Sequence, residues 1–196
     1  MPISFAINLL LIQLALNTPE NEELRELALS IKEGNRGAFK LFFDAHHRPL
    51  VMFLMKRGLS EQSADDIIQQ AFLLIWEQRK NIDPEKSLKS YLFRIAYTRM
   101  LNHFRDQRKF SDSDIPEETT DTEEPVDGKA HRELAKAIEK SIAALPEKRQ
   151  EVFRLCYLQE FTYKETAEIM NVSVKTVENH MSLALKELRA ALSGFM

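Results

Sequence analysis

Sulfur chemistry has almost no material in this chain: among 196 residues there is one cysteine, Cys156. A lone thiol cannot close an internal disulfide, which removes the crosslinked secreted scaffolds. Its neighbours Val152 and Phe153 put it on an apolar helical face, where it reads as a core residue. Glycine and proline are scarce as well, 5 and 7, too few for a fold assembled from short strands and tight turns. No glycine-rich phosphate loop, nucleophile elbow or Cys/His cluster occurs. His46 and His47 are adjacent, so on a helix they diverge by about 100° and make a poor metal pair. These absences speak against an enzyme, and no metal, cofactor or small-molecule substrate is expected.

Basic charge is also in short supply overall: 27 Lys and Arg face 30 Asp and Glu, for a net charge of −3. That average conceals an asymmetry. Between Ser111 and Asp127 lie eight acids and no Lys or Arg, so the rest of the chain is net positive. Local charge decides whether a face attracts phosphates.

What the chain has in abundance is helix formers at helical spacing. Leu24, Leu27, Ala28 and Ile31 predict one helix, which Gly34 can close. Phe39, Phe42, Phe43, Leu50, Phe53 and Leu54 predict another, with a kink or short break at Pro49 and a stop at Gly58. Ser60 or Ser63 can cap a third, running to about Arg79, with Ile67, Ile68, Ala71, Phe72, Leu74 and Ile75 inward. After a polar loop around Pro84, a long helix from about Lys86 to Arg108 turns Leu88, Tyr91, Leu92, Ile95, Ala96 and Phe104 inward.

The expected fold is all-α: two small helical domains, 22–109 and 130–196, joined by an acidic flexible linker, 110–129. Ahead of them, residues 1–21 form an apolar N-terminal extension. Met1 to Leu16 is somewhat short for a membrane span and lacks the basic start and cleavage site of a signal peptide. It reads as a frayed extension, as sequence ahead of the true start, or as a helix lying on the first domain. The expected location is cytoplasmic.

The second domain carries the sharpest motif. Thr162-Tyr163-Lys164-Glu165 is a capping box, Asn171-Val172-Ser173 a turn in which Asn171 can adopt the left-handed conformation, and Ser173 a second cap. The following helix places Val174, Val177, Met181, Ala184, Leu185, Leu188 and Leu192 on one face and leaves Lys175, Thr176, Glu178, Asn179, Ser182 and Lys186 outward. This is the pattern of a helix-turn-helix whose second helix reads a major groove. Lys can reach guanine, Asn adenine and Glu cytosine. The plain alternative is a helical hairpin with a solvated face. His180, beside this face, reads as a phosphate contact or a packing residue.

The run LPEKRQEVFRL followed by FTYKETAEIMNVSVKTVENHMSLALKELR resembles region 4 of the extracytoplasmic-function (ECF) sigma factors. The same helix-turn-helix is also similar to the LuxR-type output domain, whose motif includes a TVENH-like run, and the second domain by itself leaves both open. The first domain separates them. Residues Ser63 to Trp76 resemble sigma region 2.2, which in that family docks on the β′ coiled coil of RNA polymerase. The resemblance implies a polymerase-binding role for Asp65, Asp66, Gln69, Gln70 and Leu73, an acidic and amide face suited to a basic partner helix.

SLKSYLFRIAYTRMLNHFRDQRK resembles regions 2.3 and 2.4, which bind and open the −10 element. Basic residues there attract phosphate, and exposed aromatics among Tyr91, Phe93, Tyr97 and Phe104 could stack on bases, although most read as core. The implied −10 contacts are Arg94, Asn102, Arg105 and Lys109. The preceding base-capturing loop corresponds to Asn81, Asp83, Glu85, Lys86 and Ser87. A LuxR-type regulator would ordinarily carry an α/β receiver in front, and no such strands are legible here.

The resemblance spans roughly residues 36 to 192. It implies core RNA polymerase, through the β′ coiled coil and β flap, and promoter DNA as partners, with −35 reading by the second domain. It also implies an anti-sigma protein clamping both domains. In the family the linker follows the polymerase RNA path; its acid run suits either RNA mimicry or a plain solvated tether.

Overall fold

A computed structural model describes residues 19–110 and 129–193, with side chains from 22 to 107 and from 136 to 193. The apolar extension Met1 to Leu16, the acidic run Ser111 to Asp127 and the Lys109 side chain lie outside the described residues. The chain divides into two compact units, 1–112 and 113–196. Every regular element among the described residues is helical, and the fold is all-α as expected.

The first unit contains α1 (Pro19–Lys32), α2 (Arg36–Met55), α3 (Glu61–Glu77), a 3-10 turn (Arg79–Asn81) and α4 (Leu88–Phe110). Gly34, with φ 91°, ends α1 in a conformation that costs other residues strain. Asn35 then caps α2, its side-chain oxygen accepting from Gly37 N at 2.9 Å and Ala38 N at 3.1 Å.

Of the kink or short break expected at Pro49, the break does not occur: helix α2 runs unbroken through it. Proline inside a helix costs about 3 kcal/mol. The turn beyond it buries Leu50, Val51, Phe53 and Leu54, and a large apolar side chain contributes about 1.5–3 kcal/mol when buried. Several such residues outweigh one lost hydrogen bond, so tertiary burial carries the helix through. Gly58, at φ 90°, ends the segment, and Ser60 caps α3 by accepting from Ser63 N at 3.2 Å.

Helices α2 and α3 lie antiparallel, as their contacts show in order. Phe39 meets Trp76 at 4.9 Å between ring centroids, Phe43 meets Phe72 at 4.7 Å, and His47 Nε2 meets Asp65 Oδ1 at 3.5 Å. Phe53 packs on Phe93 of α4 at 5.1 Å. Leu50, Leu54, Ile68, Ile75, Leu92, Tyr97 and Met100 complete the core. Several residues assigned inward sit at its margin: Leu24 is exposed, and Leu74 and Phe104 are half-buried. Tyr91 is exposed too, its hydroxyl 3.4 Å from Gln78 Oε1, because the edge position lets the polar tip find a partner.

The second unit contains α5 (Lys129–Ala143), α6 (Glu147–Phe153), a π-helical turn (Arg154–Leu158), α7 (Tyr163–Met170) and α8 (Val174–Ala191). Ile142, Leu145, Ala184 and Leu188 form one apolar cluster, with Phe153 packed against it. Val152, Leu155, Phe161, Ile169, Val177 and Met181 are buried as well. Cys156, expected in the core, is half-buried: its Sγ lies 3.3 Å from Thr166 Oγ1, in the wide π turn that the apolar spacing did not announce.

Candidate nucleic-acid interface

Helix α7 begins where Thr162 and Glu165 cap each other. Thr162 Oγ1 accepts from Glu165 N at 3.2 Å, and Glu165 Oε2 accepts from Thr162 N at 2.9 Å. This satisfies backbone donors that a helix start otherwise leaves open. Asn171 ends α7 at φ 54°, ψ 49°, a left-handed turn that redirects the chain. Ser173 starts α8 by accepting from Thr176 N at 3.0 Å.

The buried face of α8 is Val177, Met181, Ala184 and Leu188, with Leu185 and Leu192 half-buried. Val174, assigned inward, is 41 % exposed; it stands in the first turn, ahead of the first buried residue. Lys175, Glu178, Asn179, Ser182 and Lys186 are exposed on the outer side. Thr176, assigned outward, is half-buried, and its hydroxyl lies 2.8 Å from that of Ser173, so it serves the cap. Lys175 Nζ donates to Glu178 Oε2 at 3.1 Å. His180 is half-buried with Nδ1 enclosed, which places it at the packing edge of this face. Burial raises the Tyr163 phenol above its ordinary pKa, with Cys156, Tyr157 and Glu178 adding to the shift. Burial also raises the Cys156 thiol, against the opposing hydrogen bond from Thr166.

In the first unit, α3 presents Asp66, Gln69 and Leu73 to solvent, Leu73 at 56 % exposure. The other two assigned residues are partly engaged within the unit. Asp65 is half-buried beside His47, and Gln70 Oε1 accepts from Arg99 Nη1 of α4 at 2.7 Å. Helix α4 exposes Arg94, Asn102 and Arg105, which its 3.6-residue period aligns on one stripe. Phe93 and Tyr97 are fully buried, so they are core and not stacking platforms.

Between the 3-10 turn and α4 lies a short loop, and its polar residues do structural work. Asn81 is exposed. Asp83 Oδ1 accepts from Glu85 N at 3.1 Å, and Asp83 Oδ2 is 4.0 Å from Lys86 Nζ. Ser87 Oγ accepts from Ser90 N at 3.1 Å and so caps α4. Sequence reasoning missed two residues that hold this loop from α1: Lys32 Nζ donates to Ile82 O at 2.8 Å, and Arg25 Nε donates to Glu85 Oε1 at 2.6 Å. The bond and charge of Glu85 raise the Arg25 pKa further. No local pattern in the sequence announces contacts across 50 and 60 residues.

The histidine pair separates as helix geometry requires. His46 meets Phe42 at 4.7 Å and His47 meets Phe43 at 4.8 Å. Burial, with Lys89 adding, lowers the His46 pKa from 6.5 to about 4. Among the described residues, no group of three or more His, Cys, Asp and Glu could hold a metal ion, and no helix is long and apolar enough to cross a membrane.

Known proteins share both units. Residues 42–110 match the Sigma-70 region 2 family, and residues 135–188 match Sigma-70, region 4. The RNA polymerase sigma factor NccH of Alcaligenes xylosoxydans xylosoxydans is 30 % identical over 175 residues, covering 86 % of this chain and 94 % of that protein. Among solved structures, CnrH in complex with the cytosolic domain of CnrY has a TM-score of 0.57 and 27 % identity, covering 87 % of this chain and 97 % of that one. The sigma factor RpoE in complex with the anti-sigma factor NepR, from Bartonella quintana, has a TM-score of 0.62 at 21 % identity, covering 79 % and 96 %, and shows the same fold. A sigma region 2 unit and a sigma region 4 unit in one chain define an RNA polymerase sigma factor. The chain belongs to the sigma-70 family, as one of its ECF members.

Proposed function

We propose that this sigma factor acts by recruitment and carries out no chemistry of its own, with its three faces dividing the task. Asp66, Gln69 and Leu73, flanked by Asp65 and Gln70, dock α3 on the polymerase β′ coiled coil: an acidic rim around an exposed leucine suits a basic helix with an apolar anchor. The loop residues Asn81, Asp83, Lys86 and Ser87 capture an unpaired base of the −10 element, while Arg94, Asn102, Arg105 and Lys109 follow the strand along α4. Lys175, Glu178, Asn179, Ser182 and Lys186 read the −35 element from α8, with Thr176 orienting the helix start. The β flap is the second polymerase contact.

The observation that carries this reading is the coexistence of a fully capped helix-turn-helix with an exposed polar recognition face and a region 2 unit in one chain. A LuxR-type regulator would leave residues 42–110 without a role. We also read the domain limits as 22–109 and 130–196, with 110–129 as a flexible linker. Such a linker would let a second protein clamp both domains and compete with polymerase. CnrH was solved with the cytosolic domain of another protein, CnrY, which supports a partner of that kind here.

The test is reconstitution. The purified full chain with core polymerase should start transcription at a defined promoter, and Asp66→Lys with Leu73→Asp should abolish core binding while helical circular dichroism is retained. A chain that binds promoter DNA without core polymerase, and never initiates with it, would overturn the proposal in favour of a plain DNA-binding regulator.

A further inference from the structure

The loop between Ile82 and Ser87 is held by two kinds of contact. The first is internal: Asp83 accepts from Glu85 N through Oδ1, the Asp83 carbonyl accepts from Lys86 N at 3.1 Å, and Ser87 caps α4. These set the local turn and fix its C-terminal end on α4, leaving its N-terminal side to other contacts. The second kind comes from α1. Lys32 Nζ reaches the Ile82 carbonyl in a partly buried setting, where Ile82 is 7 % exposed and its own N–H donates to Arg79 O. An ammonium on a partly buried carbonyl is among the stronger hydrogen bonds a protein makes. It pins the N-terminal root of the loop. At the other side, Arg25 sits on the Glu85 carboxylate, so a negative charge on the loop is covered by a positive one.

We infer that α1 is the positioning element of the base-capturing loop, with Lys32 setting its geometry and Arg25 masking the Glu85 charge from promoter phosphates. This rests on the proposed −10 role of residues 81–87. Helix α1 precedes the residues matched to sigma region 2, so the loop takes its setting from outside that match. Lys32 and Arg25 are positioning residues: neither needs to touch DNA. A loop displaced at its root would offer Asn81 and Lys86 to a different base geometry, which changes preference. A bare Glu85 carboxylate would repel every strand alike, which changes affinity without preference.

The experiment uses the full chain with core polymerase and a promoter library randomised across the −10 element. Lys32→Met keeps the aliphatic stem and removes the donor; Lys32→Arg keeps a donor. Lys32→Met should shift the preferred base at one −10 position by about fivefold or more, with core affinity unchanged, and Lys32→Arg should restore the original preference. Arg25→Gln should weaken −10 capture for all sequences, and adding Glu85→Gln should reverse that loss. Loss of initiation spread evenly over the library and tracking a lowered melting temperature would overturn the inference, since it marks Lys32 as purely structural. Asn81→Ala and Lys86→Ala run in parallel. If they alter −10 preference and Lys32→Met does not, the loop reading stands and the positioning role fails. If none of the three alters it, both fail.

Discussion

Replacing Glu178 by Ala tests whether the α8 carboxylate reads DNA or only steadies Lys175. The two side chains are joined at 3.1 Å, three residues apart, with exposures of 76 % for Lys175 and 46 % for Glu178. An ion pair that open to solvent is worth about 0–1 kcal/mol. A well-formed contact from a side chain to a base edge is worth about 1–3 kcal/mol of discrimination. Breaking the pair to reach bases would therefore be favourable, which supports the proposed role of Glu178 as an acceptor from cytosine. Glu178→Ala, which removes the acceptor as well as the charge, should then weaken binding to the preferred −35 duplex by about five- to 150-fold and relax preference at one base pair. Fluorescence anisotropy of the full chain on a panel of single-base −35 variants, at several salt concentrations, reads both effects. If Glu178 merely pairs with Lys175, the substitution removes a negative charge near phosphates. Binding then tightens on every sequence alike, by no more than about fivefold. That uniform gain would refute the base-reading role.

Thr162→Ala removes the cap of α7 and should cost about 1 kcal/mol, seen as faster amide hydrogen exchange in α7 with α3 unchanged; unaltered exchange would mean the capping box contributes nothing. His46 makes the first unit sensitive to acid. Its folded pKa of about 4 lies below the ordinary 6.5, so the unfolded chain takes up a proton first, and stability present above pH 6.5 is lost as pH falls towards 4. The loss is at most about 3 kcal/mol, reduced by the solvent that still reaches the ring. Denaturant titrations at pH 7 and pH 5 should show it for the wild type and not for His46→Gln; equal losses in both would exclude His46 as the cause.

Much of this protein is legible in local pattern because helices are local objects. Apolar spacing, the Thr162–Glu165 box, the left-handed Asn171 and the Ser173 cap all act within a few residues, so the helix-turn-helix can be read from one dimension. The same holds for the outward stripe Arg94, Asn102 and Arg105 on α4. Where sequence reading failed, the deciding quantity was set by other segments. Pro49 remains helical because the turn after it is buried by partners elsewhere in the unit. Val174 lies open and Thr176 half-closed because the packing boundary of α8, and not its periodicity, settles which first-turn residues are covered. The π turn around Cys156 has no spacing signature.

For the faces themselves, composition determined their chemistry: acids and amides on α3, bases on α4, mixed polar residues on α8. Only the tertiary structure decided which of those groups are already engaged. Gln70 is tied to Arg99, Asp65 lies against His47, and the loop is held from α1 by Lys32 and Arg25. A hydrogen bond between residues 50 or 60 positions apart depends on where two helices happen to cross. That crossing is a property of the packed core, and no short stretch of sequence encodes it.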